Sequence, residues 1–358
     1  MEALMPRHLR DTPPQILGIG TANPSTRYSQ RAIYDFAAKH VEKYRNPRIE
    51  HIFMTSDIDY RHLAFDIETL EPNESADDLH RRFERYSVEL GKEAILNSLK
   101  SGNLHPEDID YIVAVSCTGY LCPGLSALLI KELGMRTDLQ RADLIGMGCA
   151  GAMPGLQRAH DFVKAYPERK ALVLTVEICS ACYYIDDSLE TVVGNAICGD
   201  GAAAVIVGND DNTAGVGLAR FATLLEPSFI HTVGFQFKSG RLRIVLSKDI
   251  RDAAGGLAKR VITQILDENG LTKEDINHWI IHSGGRKVID SIKDEVGLTE
   301  EQLRHSRCVL KNFGNMSSPT VLFVLDETIR HAQPKPGDRG VMLAMGPGLA
   351  IEAGLLQW

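Results

Sequence analysis

The chain has 358 residues, of which 44% are hydrophobic and 24% charged, and this composition is ordinary for a soluble globular protein of two or three domain-sized units. A net charge of −8 without a dense Lys/Arg block argues against nucleic-acid or membrane-surface binding, because both need a basic field. The seven cysteines are odd in number and lack framework spacing, the first residues have no signal-peptide pattern, and no apolar stretch is long enough to span a membrane. We therefore expect a cytoplasmic protein with free thiols.

Continuous apolar runs alternate with helical spacings along the first part of the chain. Strands are predicted at residues 15–20, 111–117, 171–176 and 202–207, and from residue 143, where a buried strand leads into a glycine-rich turn. Helices are predicted at residues 31–44, 75–99 and 125–133 and from residue 156. The stretch 46–71 lacks a regular pattern, so we predict a loop that is either a surface excursion or part of a binding mouth. Continuous apolar strands separated by helices indicate a sheet buried on both faces.

The same alternation begins again after a polar loop at residues 209–214. Strands are predicted near residues 216–225, 242–246, 279–282, 341–345 and 349–355, with helices at 250–266, 288–296 and 321–329. Two similar α/β halves are therefore predicted, 1–210 and 211–358. No flexible linker separates them, so we expect them to pack as one body.

Cys149 is the first candidate for chemistry, because it stands in a glycine-rich turn between a predicted strand and a predicted helix. Neighbouring glycines allow unusual backbone dihedrals and close approach of a substrate. The positive end of a helix dipole favours the thiolate, the form in which cysteine reacts. A small buried cysteine at a crowded turn is an equally good interpretation of Cys149 alone.

His282 and Asn315 also stand at glycine-marked ends of predicted strands, in Ile280–Gly285 and Phe313–Pro319 respectively. Taken singly, the histidine is more often structural, and the asparagine is more often a cap or a turn former. Together with Cys149 they supply a nucleophile, a base or donor, and an amide donor for an oxyanion. That combination indicates thiolate catalysis.

The sequence closely resembles the type III polyketide synthases, the branch of the thiolase superfamily that includes chalcone synthase. The matching motifs are GCAGAMPGL around Cys149, IIHSGG around His282, GNMSSPTVLFVLDE around Asn315, GDGAAAVIVG from Gly199 and the terminal GPGL from Gly346. The resemblance implies a duplicated α/β thiolase fold in five layers (αβαβα), a homodimer, and Cys149, His282 and Asn315 as the catalytic triad. It implies that residues 1–210 form the half with the nucleophile, and 211–358 the half with the histidine and asparagine.

The resemblance also implies a substrate pocket and a CoA site. Residues at family pocket positions are Cys117, Cys122, Cys179, Cys182, Cys198, Ile244, Ser317, Gly346, Pro347 and Gly348, and the loop around Cys122 is expected to reach the partner's site. Candidates for CoA binding are Arg48, Gly284, Gly285, Arg286 and Lys287, although the cations among them are equally consistent with plain surface charges. Cys198 and Ile244 stand where the family usually has bulky aromatics, which predicts a wider pocket.

The implied reaction is iterative decarboxylative condensation of malonyl-CoA onto a starter acyl-CoA, followed by cyclisation, with no metal, no redox cofactor and no obligatory acyl carrier protein. Three alternatives stay open at this point. A 3-oxoacyl-ACP synthase III-like enzyme shares the triad but uses a carrier protein, and a catalytically silent scaffold would share only the fold. The spacing Cys179-Ser180-Ala181-Cys182 would also suit a redox or metal pair, although no second pair or nearby histidine completes a metal set.

Overall fold

The computed structural model describes residues 12–71, 74–183, 188–210, 215–238, 240–247 and 249–358. The strands are β1 (Gln15–Ala22), β2 (Arg27–Ser29), β3 (Tyr60–His62), β4 (Tyr111–Ser116), β5 (Gln140–Ile145), β6 (Ala171–Glu177), β7 (Gly201–Gly208), β8 (Val216–Leu225), β9 (Val233–Lys238), β10 (Arg241–Leu246), β11 (His278–Ile281), β12 (Arg339–Gly346) and β13 (Ala350–Gln357). The helices are α1 (Gln30–His40), α2 (Pro47–Met54), α3 (Ala76–Ser101), α4 (Leu125–Leu133), α5 (Ala152–Ala165), α6 (Leu189–Ile197), α7 (Asp249–Asp267), α8 (Arg286–Val296), α9 (Arg304–Phe313) and α10 (Thr320–Ala332).

Nine strands form one mixed sheet in the order β11-β12-β13-β8-β1-β7-β6-β4-β5. Its first four strands come from the C-terminal half of the chain and its last five from the N-terminal half. The register between β1 and β8 comprises two residue pairs, Gln15 with Gly217 and Ile16 with Val216, so the two portions of the sheet are joined along a narrow seam. Two further strand pairs, β2-β3 and β9-β10, lie outside this sheet.

Helices α5 and α10 lie between the two portions of the sheet. Both contribute to a hydrophobic cluster that also contains residues of strands from both halves, including Val173 of β6 and Met342 of β12. Helix α3 packs on the outer face of the N-terminal strands, and α7 and α8 pack on the outer face of the C-terminal strands. The layers therefore follow the order α, β, α, β, α, as predicted. A helix enclosed by sheets must be apolar on several faces, and Val321, Leu322, Phe323, Val324 and Leu325 of α10 are all buried.

The predicted loop at 46–71 is wrong, because this stretch contains α2 and β3. Asn46 caps α2, since its side chain accepts a hydrogen bond from the Arg48 backbone N–H and Pro47 occupies the first helical position. Ile49 and Phe53, four residues apart, are buried on one face of that helix. The Asn-Pro start signal was therefore present, but charged and aromatic neighbours obscured the short apolar face.

Other predictions differ from the structure or are not tested by it. Strand β5 was predicted to be buried, but it forms the edge of the sheet and Ile145 is 54% exposed. Helices α6 and α9 and strand β9 were not predicted. The predicted boundary between the two halves, at residue 210, borders on residues 211–214, which lie outside the described residues. The boundary therefore stays a prediction. In the part of the chain that is described, no helix is both long and apolar enough to cross a membrane.

Candidate active site

Cys149 lies in a short 3-10 turn, Gly148–Ala150, between β5 and α5, as the sequence pattern predicted. Gly148 has a φ of +49°, and a Cβ atom there would lie 2.4 Å from Pro347 Cδ, so only glycine fits. Gly346 also lies close to the Cys149 turn, because a Cβ atom on Gly346 would lie 2.7 Å from Ala150 Cβ. The Gly346-Pro347-Gly348 turn therefore packs directly against the turn that holds Cys149.

Asn315 brings the predicted triad together. The Cys149 Sγ atom lies 3.9 Å from both Oδ1 and Nδ2 of the Asn315 amide. The same Nδ2 donates to the Gly284 carbonyl at 3.2 Å, and a Cβ atom on Gly284 would lie 3.2 Å from His282 Nε2. Among the described residues no hydrogen bond joins Cys149 directly to the His282 ring. The structure thus places the thiol against the amide, and the imidazole next to the glycine that the amide contacts.

Burial controls the protonation of both groups. Burial raises the pKa of the Cys149 thiol to about 12, although hydrogen bonds from Ser317 and Asn315 oppose part of this change. Burial also lowers the pKa of His282 to about 4. Desolvation therefore favours a neutral thiol and a neutral imidazole in the resting site.

Glu177 is a site residue that the sequence analysis did not identify. It ends β6, is fully buried, and accepts hydrogen bonds from six groups. Its Oε2 accepts from the backbone N–H of Cys117 (2.9 Å) and of Thr118 (3.1 Å), and from the hydroxyls of Thr118 (2.9 Å) and Ser116 (3.2 Å). Its Oε1 accepts from the hydroxyls of Ser318 (2.7 Å) and Ser317 (3.4 Å).

The Glu177 network reaches the triad in two steps. Ser317, which contacts Glu177, donates its backbone N–H to Asn315 Oδ1 at 2.8 Å, and this bond holds the amide in place. Burial raises the pKa of Glu177, while the N–H of Cys117 and the Ser318 hydroxyl lower it. The available sequence signal was a lone carboxylate at the end of an apolar strand, Ala171–Glu177, where a charge is costly unless several donors meet it.

Four of the predicted pocket cysteines lie near this network. Cys117 Sγ lies 3.5 Å from the Ser317 hydroxyl, and Cys182 Sγ lies 3.4 Å from the Thr118 carbonyl oxygen. The Cys179 and Cys198 thiols share a hydrogen bond, which lowers the pKa of Cys198. Cys198 also forms an isolated parallel bridge with Asn315. In contrast, Cys122 is exposed, and its side chain makes no described contact with the triad.

Ile244 lies on the β9-β10 ribbon, which covers the space between the Pro347 turn and α6. Its Cγ2 atom is 3.0 Å from the position that a Cβ on Gly194 of α6 would occupy. Phe235 stands directly opposite Ile244 in the ribbon. Phe235, Tyr183 and Tyr184 are the aromatic residues that could supply a ring in place of the expected one. Tyr183 instead packs edge-on against Phe65 and donates its hydroxyl to the Asn195 carbonyl. Tyr184, a third candidate, lies outside the described residues.

Four of the predicted CoA-binding residues are consecutive, Gly284–Lys287, and no contact between them and Arg48 is described. Arg48 is exposed at the start of α2, and Lys287 is exposed at the start of α8. Arg286 Nε lies 3.9 Å from Asp57 Oδ2, so a carboxylate already faces its charge. Gly284 contacts Asn315 as described above, and Gly285 is the residue before α8. CoA binding by these residues therefore stays a prediction.

The CxxC pair does not form a metal centre with its surroundings. Within the described ranges, no three His, Cys, Asp or Glu side chains are arranged to hold a metal ion. All seven cysteines are free. Cys179 and Cys182 instead belong to the wall of side chains near Glu177.

Comparison with known proteins identifies the family. Residues 6–211 match the family described as "Chalcone and stilbene synthases, N-terminal domain", and residues 227–358 match "Chalcone and stilbene synthases, C-terminal domain". The 3,5-dihydroxyphenylacetyl-CoA synthase of Streptomyces toyocaensis is 35% identical over 356 residues, covering 96% of this chain and 90% of that protein. The 1,3,6,8-tetrahydroxynaphthalene synthase of Streptomyces peucetius subsp. caesius is 33% identical, covering 96% of this chain and 93% of that protein.

Solved structures agree with this assignment. PKS-I of the brown alga Ectocarpus siliculosus superposes with a TM-score of 0.91 at 29% identity, covering 97% of this chain and 99% of that chain. The 1,3,6,8-tetrahydroxynaphthalene synthase of Streptomyces coelicolor A3(2), a bacterial type III polyketide synthase, superposes with a TM-score of 0.90 at 28% identity, covering 96% and 99%. The predicted thiolase fold is therefore confirmed.

The chain belongs to the chalcone and stilbene synthase family of type III polyketide synthases. It is accordingly an acyltransferase, and its relatives support the polyketide synthase prediction rather than the carrier-protein-dependent alternative.

Proposed function

We propose that this enzyme loads a starter acyl group from CoA onto Cys149 and extends it by decarboxylative condensation with malonyl-CoA. The main supporting observation is the Asn315 amide, which lies 3.9 Å from Cys149 Sγ and is hydrogen-bonded to Gly284 beside His282. This arrangement surrounds one buried point with a nucleophile, an amide donor and an imidazole. The CoA product in the name of the Streptomyces toyocaensis relative supports CoA thioesters as the substrate class.

The first step is acylation of Cys149. Burial opposes a lone thiolate and a lone imidazolium, but a proton moved from Cys149 to His282 creates both charges together, and each stabilises the other in a medium of low dielectric constant. The thiolate attacks the thioester carbonyl of the starter. The C–S bond to CoA breaks, and CoA leaves with the proton from His282.

The second step is extension. The bond between malonyl carbon and carboxylate breaks, CO2 leaves, and the electron pair remains as an enolate. Asn315 Nδ2 has two hydrogens, one of which is bonded to the Gly284 carbonyl, so the other can donate to the enolate oxygen together with His282. The enolate carbon attacks the acyl carbonyl, and the bond to Cys149 sulfur breaks to release the thiolate. The lengthened chain is now a thioester of CoA, and Cys149 takes it up again by the first step with release of CoA. Repeated cycles build a poly-β-keto chain that cyclises.

The proposed reaction needs neither a metal nor a redox cofactor, because every step is a proton, acyl or CO2 transfer. We place it in the cytoplasm, where a reducing environment keeps the cysteines near Glu177 as thiols. Cell fractionation with an antibody against the protein tests this location.

We also propose that the working unit is a homodimer formed along β5. This strand is the edge of the large sheet, and beside it lies a recess lined in part by Gly119, Leu121, Leu125 and Leu144. Ile145 at its end is 54% exposed, and Tyr120 on the neighbouring loop is 64% exposed. Exposed apolar groups around an unpaired edge fit a second copy of the same chain.

The proposed function is tested with labelled malonyl-CoA and a series of starter acyl-CoAs, without any carrier protein. Mass spectrometry of the wild type is expected to place the acyl group on the peptide that contains Cys149, and labelled CO2 and polyketide products are expected. Cys149→Ala should lose acylation and product formation. Turnover that appears only when acyl carrier protein is added would instead support the carrier-dependent alternative, and stable acylation of Cys117, Cys182 or Cys198 with an active Cys149→Ala would refute the proposed nucleophile.

A further inference from the structure

Arg61, the middle residue of β3, is a fully buried arginine without a carboxylate partner among the described residues. Its Nη1 donates to the carbonyl oxygens of Asn195 at 2.6 Å and of Cys198 at 2.8 Å, and its Nε donates to Gln30 Oε1 at 3.0 Å. Its Nη2 is buried without a hydrogen-bond partner. Burying a charge in this way is costly, so the environment must offer it a negative potential.

The negative potential comes from the C-terminus of α6. The last carbonyls of a helix have no partner within the helix and form the negative end of its dipole. Arg61 meets the Asn195 carbonyl, and Gln30 Nε2 donates to the Ala196 carbonyl at 2.6 Å. The remaining carbonyl, that of Ile197, accepts the backbone N–H of Asn315 at 2.8 Å. Arg61 and Asn315 are thus held by carbonyl groups of the same helix end.

The segment after α6 holds Asn315 from both sides. The Asn315 N–H donates to Ile197, and the Asn315 carbonyl accepts the N–H of Gly199 at 2.9 Å. Arg61 fixes this segment through the Cys198 carbonyl, which lies between those two contacts. The aliphatic part of Arg61 also packs under the residue before Asn315, because a Cβ atom on Gly314 would lie 3.0 Å from Arg61 Cγ and Cδ.

We propose that Arg61 is a positioning residue, which fixes the end of α6 and thereby aims the Asn315 amide at the reacting atoms. This inference rests on the proposed function, in which Asn315 stabilises the enolate. The guanidinium plane is well suited to the task, since one nitrogen reaches two carbonyls while another reaches Gln30, a geometry that an ammonium group cannot reproduce.

The test is a double-mutant cycle between Arg61→Met and Asn315→Ala, with malonyl-CoA decarboxylation as the reaction. Methionine keeps much of the volume of Arg61 but removes the donors and the charge. Displacing a catalytic amide by roughly 1 Å costs on the order of 10²-fold in rate, so Arg61→Met is expected to lower kcat by about 10- to 100-fold per folded chain while KM changes by less than about threefold. In the Asn315→Ala background the same substitution should have little further effect on kcat, because the amide that Arg61 positions is already missing.

A purely structural role for Arg61 would give a different result. In one case, Arg61→Met would reduce the amount of folded enzyme but leave kcat per acylatable Cys149 unchanged. In the other, Arg61→Met would lower the rate by the same factor in the wild type and in Asn315→Ala. Either result would overturn the proposal. If Arg61→Met does not fold, the cycle is run with Arg61→Lys, which keeps the charge and should retain only part of the rate. Tyr34→Phe is the matched control, since it removes a buried hydrogen bond to the Tyr44 carbonyl in the adjoining cluster and is expected to leave kcat unchanged. A wild-type enzyme that fails to decarboxylate malonyl-CoA would refute the proposed function itself, and the cycle would then have no starting rate.

Discussion

At the scale of single residues, the protonation of Cys149 depends on two opposing effects. Its turn precedes α5, and the positive end of a helix dipole lowers thiol pKa values. Burial acts in the opposite direction and is the largest cause of the shift, which raises the pKa of Cys149 to about 12. The free enzyme therefore protects a nearly unreactive thiol, and substrate binding must supply the conditions under which His282 accepts its proton.

This protonation state predicts the pH dependence of Cys149 alkylation. Because the pKa is raised, the thiolate fraction stays small and increases about tenfold for each pH unit below the pKa. The rate of iodoacetamide modification of the free enzyme, measured by mass spectrometry of the Cys149 peptide, should therefore still rise at pH 10 without a plateau. A plateau below pH 9 in the wild type that disappears in His282→Ala would mean that the two residues already form an ion pair at rest.

Glu177 allows a prediction about stability. Glu177→Leu removes the acceptor for the buried N–H groups of Cys117 and Thr118, and an unsatisfied buried donor costs about 1–3 kcal/mol. We expect the free energy of unfolding, measured by urea denaturation, to fall by about 3 kcal/mol.

Glu177→Gln is the matched control for this prediction. Its amide oxygen can still accept from those N–H groups, and the hydroxyls of Ser317 and Ser318 can rotate to accept from its amide nitrogen. The loss should be below about 1 kcal/mol. Equal losses for the two variants would mean that the negative charge, rather than the acceptor geometry, holds the network together.

At the scale of elements, α6 and the β9-β10 ribbon form one wall of the site. Cys198 follows α6 and pairs with Asn315, while Ile244 of the ribbon packs against Gly194 of the helix. Both stand at positions where the family resemblance predicts bulky aromatics. Phe235 of β9 lies opposite Ile244 of β10. The ribbon therefore has one aromatic ring here, but on β9 rather than on β10, where the resemblance predicts it.

The chain-length preference of the enzyme should respond to this wall. Cys198→Phe adds several heavy atoms next to Asn315, so we expect a shift toward smaller starters or shorter products with acylation of Cys149 intact. Product profiles over a starter series, with intact-protein mass spectrometry for acylation, provide the measurement. Phe235→Ala is the complementary variant and should shift the preference toward larger starters. An unchanged product distribution in Cys198→Phe would rule out a wider pocket at this position.

At the scale of the whole molecule, the two portions of the sheet enclose α5 and α10. The site lies at the N-terminal ends of these two helices. Cys149 comes from the N-terminal half, whereas His282, Asn315 and the Pro347 turn come from the C-terminal half. The narrow seam between β1 and β8 contributes little to holding the halves together. The buried central layer must therefore maintain the register between nucleophile and donors.

The proposed dimer predicts the effect of a charge at the sheet edge. Ile145→Asp places a carboxylate where we expect a second copy, so light scattering coupled to size exclusion should report a shift from dimer to monomer. Leu96→Asp on α3 is the matched control, because Leu96 is 45% exposed on the outer helix layer and the dimer should persist. A wild-type protein that is monomeric at micromolar concentration would contradict the proposed assembly.

Sequence patterns were enough to predict two halves of alternating strands and helices and the triad candidates, whereas the five layers were implied by the family resemblance. Long apolar strands and amphipathic helices have periodicities that local burial imposes, so most strands and helices were predicted near their observed positions. Glycine-marked strand ends identified Cys149, His282 and Asn315, because close backbone approach requires glycine at particular positions, and Gly148 against Pro347 is such a contact.

The protonation of the site and the residues that support it depend on contacts between segments that are distant in the sequence. The pKa values of Cys149 and His282 depend on desolvation, which arises when distant segments close over them. Glu177 and Arg61 look like an isolated carboxylate and an isolated cation in the sequence, since their partners are 31 or more residues away along the chain. Likewise the apolar residues that follow Asp143 predict a buried strand, but the place of β5 at the sheet edge follows from strand order, which local periodicity does not encode.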